Sequence, residues 1–192
     1  MLLLLLGLVI FLGAHSTRIV ADGWRDGVVA RIGAKRWKGL YALVSLVGFV
    51  LIVVGYGLAR QQPVVLWQPP VWTRHAASLL VLVAFVLLAA PYVKGNAFAT
   101  RLRHPMLIGT KLWAFAHLLA NGTLADLLLF ASFLAWAVLC FRSARRRDRA
   151  AGLHGTPGDT AATVKTVVAG VVGWAVFAFW LHGALIGVRP FG

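Results

Sequence analysis

The stretch LYALVSLVGFVLIVVGYGLA, residues 40–59, runs without a single charged side chain. A helix of about 20 apolar residues crosses the hydrocarbon core of a bilayer, so this segment reads as a membrane span. Its apolar residues fill the helix on every side, whereas a helix on a soluble surface keeps them to one stripe. Five more blocks of the same kind lie around it: Leu2–Ala21, Trp72–Val93, Pro105–Ala120, Leu124–Phe141 and Val164–Val188. The fourth in chain order, 105–120, is the shortest, and is expected to pack inside the bundle. The chain is 60% hydrophobic and 12% charged, where a soluble domain carries about 25% charged residues. The predicted fold is all-α, a polytopic transmembrane bundle of about six helices, forming one domain over residues 1–192.

The net charge of +14 comes from 19 Lys and Arg against 5 Asp and Glu. In a soluble protein this excess would suggest nucleic acid as a partner. Here the cations alternate between loops. The first loop holds Arg18, Arg25, Arg31, Lys35, Arg36 and Lys38, the third Lys94, Arg101 and Arg103, and the fifth Arg142, Arg145, Arg146, Arg147 and Arg149. The second loop has only Arg60 and Arg74, and the fourth has none. Basic loops stay on the cytoplasmic side, which predicts both termini outside and a basic cytoplasmic loop over residues 142–163. No basic residue precedes the first Leu run, so the first span is expected to be retained rather than cleaved as a leader. The lone cysteine, Cys140, reads as a small apolar residue at a helix end.

Two histidines, His15 and His117, fall inside the apolar blocks. Ionisable groups are costly in hydrocarbon and usually face a bundle interior, where they hold an ion, a proton path or a cofactor. Helical spacing puts Met106, Gly109, Trp113, His117 and Asn121 on one face. Gly109 permits close approach of a neighbour, and Asn121 is placed to fix the tautomer of His117. A helix–helix hydrogen bond through His117 is the competing reading. On the first span Phe11, His15, Arg18 and Asp22 share a face. Arg18 either pairs with Asp22 or receives an acidic group of a ligand held at His15. His104 opens the fourth span as an interfacial residue, with His75 and His182 nearer the outer surface. The five acids, Asp22, Asp26, Asp126, Asp148 and Asp159, lie in or beside loops, which argues against proton pumping through buried carboxylates. No GxGxxG, P-loop, HExxH or CxxC motif occurs, so the soluble cofactor signatures are absent.

His15-Ser16-x-Arg18, Arg103-His104-Pro105 with Gly109, and Trp113 followed by His117 and Asn121-Gly122 together resemble the NnrU family, which includes plant zeta-carotene isomerase. The resemblance implies a bacterial inner-membrane protein associated with nitrite and nitric oxide reductases in denitrification. Its isomerase members bind haem b through histidine, which makes His15 and His117 the expected iron ligands, with His104, Arg18, Trp113 and Asn121 around the cofactor. Those members carry a cysteine three residues before the second histidine, where this chain has Ala114. Depth along the helices sets a condition on the pair. His15 lies about 9 Å from the inner end of its span and His117 about 18 Å from the inner end of its own. Axial nitrogens on one iron stand about 4 Å apart. Pairing His15 with His104, and His117 with His75 or His182, is the alternative. Arg103-His104-Pro105-x-x-x-Gly109 is also similar to a segment of membrane methyltransferases that use S-adenosylmethionine, with Leu107 at their tyrosine. A non-catalytic assembly factor binding a respiratory partner is the third class.

Overall fold

The computed structural model describes residues 1–191, and these are helical, with no strand among the described residues. The helices are α1 (Leu2–Val20), α2 (Asp22–Ile32), α3 (Ala34–Ala59), α4 (Trp72–Ala89), α5 (Ala97–Leu102), α6 (Pro105–Ala120), α7 (Leu124–Ala150), α8 (Thr160–Val176) and α9 (His182–Ile186). A turn of 3-10 helix ends α4, and a π-helical segment, Phe177–Leu181, joins α8 to α9 in one continuous rod. Five rods are long and apolar enough to cross a membrane: α1, α3, α4 with its 3-10 turn, α7, and the rod Thr160–Ile186. α6 is the short sixth, at 16 residues. It starts with Pro105 at its first turn, where the missing N–H has no intrahelical partner to lose.

Across the bundle the neighbours run α3, α1, α7, α6, α4, α8. α6 is held between α4 and α7, with Gly109, Ala114 and Ala116 buried, in agreement with its shortness. Small residues set the spacing. A Cβ on Gly7 of α1 would lie 2.6 Å from the backbone nitrogen of Ile52, and one on Gly48 of α3 would lie 2.7 Å from that of Phe11. Gly55 of α3 meets the backbone of Leu4, whose side chain is fully buried. Without a hydrophobic drive between helices in lipid, such close backbone approach supplies the packing that holds α1 on α3. Gly109 of α6 lies against the carbonyl oxygen of Ala84, the close approach that its place in the sequence suggests. The outer faces stay apolar: Leu43, Leu46 and Phe49 of α3 are each more than half exposed, which suits contact with acyl chains.

Three features depart from the sequence reading. α2 is a helix within the first basic loop, and its Trp24 packs edge-on against Trp37. α7 continues through the arginine run to Ala150, so the first part of the segment expected to be a loop over 142–163 is helix. Arginine is a good helix former, and cations at a helix C-terminus oppose its dipole, so charge density there does not mark a loop. Asp126 and Asp148 are buried, at 5% and 6% exposure. Asp126 closes a capping box with Thr123 at the start of α7, and Asp148 sits on the helical extension beyond Phe141, where the apolar block stops. The start of α1 and the end of α9 lie at the end of the bundle away from the basic loops, where Arg60 Nη1 donates to the carbonyl of Ile186 at 2.6 Å.

Candidate functional site

Three histidines share one local arrangement. The Nδ1 of His15 donates to the carbonyl of Phe11 at 2.7 Å, that of His117 to Trp113 at 2.8 Å, and that of His182 to Val188 at 2.6 Å. For His15 and His117 the acceptor is the carbonyl four residues earlier, which helix geometry places beneath the ring. A carbonyl only accepts, so Nδ1 carries the proton and Nε2 keeps its lone pair. A backbone carbonyl behind the far nitrogen is the usual support of a metal-ligating imidazole. Asn121, expected to fix the tautomer of His117, instead donates from Nδ2 to the main-chain carbonyl of that residue at 2.8 Å. The carbonyl of Trp113 performs the expected task.

Aromatic rings connect the first two histidines. His15 stacks on Phe11 at 4.2 Å, Phe11 meets Phe133 at 5.8 Å, and Phe133 meets Trp113 at 5.5 Å. Trp113 then lies 5.2 Å from His117, which stacks on Phe130 at 4.6 Å. α7 serves as a ruler for depth. His15 lies beside Trp136 and His117 beside Phe130, six residues apart in sequence, or about 9 Å along the axis. That offset matches the difference in depth read from the sequence. His15 and His117 therefore stand at the two ends of one aromatic column.

The remaining expected residues are engaged elsewhere. Arg18 approaches Asp22 at 4.0 Å with its side chain 63% exposed, and so follows the simpler of its two readings. His104 Nε2 lies 2.8 Å from Asp148 Oδ2, and Arg103 grips the same carboxylate through Nε at 2.9 Å and Nη2 at 3.3 Å. Arg103 has a φ of 63°, a left-handed conformation rare outside glycine. This backbone turn brings both its guanidinium and His104 onto Asp148, tying the start of α6 to the end of α7.

Sequence reasoning missed Tyr56. Its hydroxyl donates to Asp126 Oδ1 at 2.5 Å, and the other carboxylate oxygen takes the N–H and hydroxyl of Thr123 at 3.0 and 2.7 Å. The Thr123-x-x-Asp126 spacing is a capping-box pattern, which could have revealed the acid. Nothing local in the sequence pairs it with a tyrosine 70 positions earlier.

A cavity of about 260 Å³ lies between α4, α6, α7 and the π segment, lined by Phe85, Leu88, Thr110, Trp113, Phe133 and Phe177. Among the described residues, no group of three or more His, Cys, Asp or Glu side chains is arranged to hold a metal ion. A bare ion with three or four protein ligands thus has no site there, whereas an iron carried by a porphyrin needs only one or two. His117, with a free Nε2 and aromatic neighbours beside this cavity, fits such a group.

No curated protein and no solved structure matches the chain. The family model described as NnrU protein matches residues 3–190, nearly its whole length, and the chain belongs to the NnrU family.

Proposed function

We propose that this NnrU-family membrane protein binds haem b and supports the nitrite and nitric oxide reductases of denitrification, from the inner membrane of a bacterium with both termini in the periplasm. The observation that carries the haem reading is the commitment of Nδ1 on His117 to the Trp113 carbonyl, which leaves Nε2 as a donor among aromatic rings. Haem supplies one-electron and diatomic-gas chemistry when bound. The protein's part is to position and shield. His117 would hold the iron through Nε2, Trp113 and Phe130 hold its ring in orientation, and Asn121 secures its backbone at the helix end. His15 is a second candidate donor at the other end of the column, with Phe11 and Trp136 around it. The five long spans and the alternation of basic loops support the multi-pass membrane setting. Partners in this reading are respiratory membrane proteins.

The test is the absorption spectrum of the detergent-purified protein produced with adequate haem. A Soret band that His117→Ala abolishes or shifts is expected. A wild-type protein that folds, elutes as one species and never acquires a Soret band overturns the reading.

A further inference from the structure

We infer that the open groove between α1 and α7 binds an anionic phospholipid, with an acyl chain in the groove and the phosphate at Arg146 and Arg147. The site is separate from the haem reading and does not depend on it. The groove holds about 350 Å³. Leu5, Val9, Gly13 and Ser16 line it from α1 at helical spacing, and Trp136 and Leu139 line it from α7. Nothing stands within 4 Å of a Cβ added at Gly13, so the floor is bare there. Ser16 donates its hydroxyl to the Leu12 carbonyl at 2.6 Å, which meets its need for a polar partner within α1. From Leu5 to Ser16 is about 16 Å along the helix. That length is comparable with the ~15 Å of hydrocarbon in one leaflet, half of a ~30 Å core.

Charge at one end selects the occupant. Phe11 lies beside Phe133 and His15 beside Trp136, so α1 and α7 run in the same direction toward the basic end. Trp136, Leu139, Ser143 and Arg146 follow one another on α7 at spacings of three and four, which makes one stripe. Arg147 folds back onto that stripe, where its Nη1 donates to Ser143 Oγ at 2.9 Å. The acids nearby are already engaged. Asp148 serves Arg103, His104 and Arg145, and Asp22 faces Arg18. Among the described residues, no ion pair reaches Arg142, Arg146 or Arg147. An apolar trough that leads to arginines without an acid of their own matches a lipid with a phosphate head. Arginine binds phosphate through short, charge-assisted hydrogen bonds.

Native mass spectrometry of the detergent-purified full-length protein tests the site. The probe is phosphatidylglycerol, and the comparison is zwitterionic phosphatidylcholine with the same chains. The wild type is expected to retain phosphatidylglycerol more tightly. Gly13→Leu fills the groove and is expected to lose that lipid, whereas Leu46→Trp, on the exposed face of α3, keeps it. Arg146→Gln and Arg147→Gln together are expected to weaken phosphatidylglycerol by about 30-fold, or about fivefold for each arginine. Phosphatidylcholine binding is expected to stay unchanged in that pair.

The inference is overturned if the two lipids bind alike. It is equally overturned if Gly13→Leu, or the paired arginine variant, retains phosphatidylglycerol as the wild type does. A lipid-free dimer that Gly13→Leu converts to a monomer also overturns it, because a second copy of the chain then fills the groove.

Discussion

Tyr56 and Asp126 join α3 to α7 through a 2.5 Å hydrogen bond, from the phenol hydroxyl to a carboxylate that is 5% exposed. Thr123 occupies the other carboxylate oxygen. Among the described residues, the phenol is the hydrogen-bond donor that reaches Asp126 from another helix. The bond stands one helical turn from Phe130, against which His117 is stacked. Whatever fixes Asp126 therefore also fixes the wall of the candidate site.

Replacing the tyrosine tests that link. Tyr56→Phe keeps the ring against Phe130 and removes only the donor. A buried acceptor that loses a partner costs about 1–3 kcal/mol. The expected result is a lower midpoint of thermal unfolding in detergent, with helix content unchanged. An unchanged midpoint would show that the α3–α7 bond contributes nothing to stability.

The glycine contacts between α1 and α3 make a sharper structural prediction. Gly48→Ala puts a methyl group where the Phe11 backbone already stands, and overpacking of this kind costs about 1–3 kcal/mol. Gly57→Ala, on the same helix with nothing within 4 Å of the added carbon, is expected to be neutral or stabilising by about 0.4–1 kcal/mol. Thermal unfolding of the two variants side by side checks this. Equal midpoints would contradict close packing along that helix pair.

At the basic end, Asp148→Ala leaves Arg103 and His104 without their shared acceptor. The start of α6 and the extension of α7 then lose their tie. Limited trypsin digestion is expected to cut faster within the arginine run 142–149 than it does in the wild type. His104→Gln, which can still donate to the carboxylate, is expected to be cut at an intermediate rate. Digestion patterns identical in all three proteins would refute the tie.

Orientation is open to direct measurement in intact cells. With Cys140 changed to serine, a cysteine at Gln61 is expected to react with a membrane-impermeant thiol reagent added outside, and one at His154 only after the cells are opened. The reverse pattern would invert the assigned topology, and labelling of both from outside would contradict an odd number of spans between them.

The sequence by itself determined the number of rods, the limits of α6 and the alternation of basic and neutral ends. These are sums over neighbouring residues, hydropathy and charge, and a bilayer reads them segment by segment. It also determined the depths of His15 and His117, because residues count off a fixed rise along a helix. The Thr123-x-x-Asp126 spacing of the capping box stands in the sequence and went unread, and no local pattern points from it to Tyr56. The helical course of the arginine run was not legible, because a dense run of charge suits a solvated loop and an exposed helix end equally well. Only the tertiary structure decided which side chains meet. The order of helices across the bundle, the rotation of each about its axis and the π turn before His182 all depend on packing between residues far apart in the chain. So do the burial of Asp126 and Asp148 and the aromatic column that runs between His15 and His117. No local pattern encodes a contact whose two halves lie on different rods, because each half is compatible with many neighbours until the close approach at Gly7, Gly48 and Gly55 selects one.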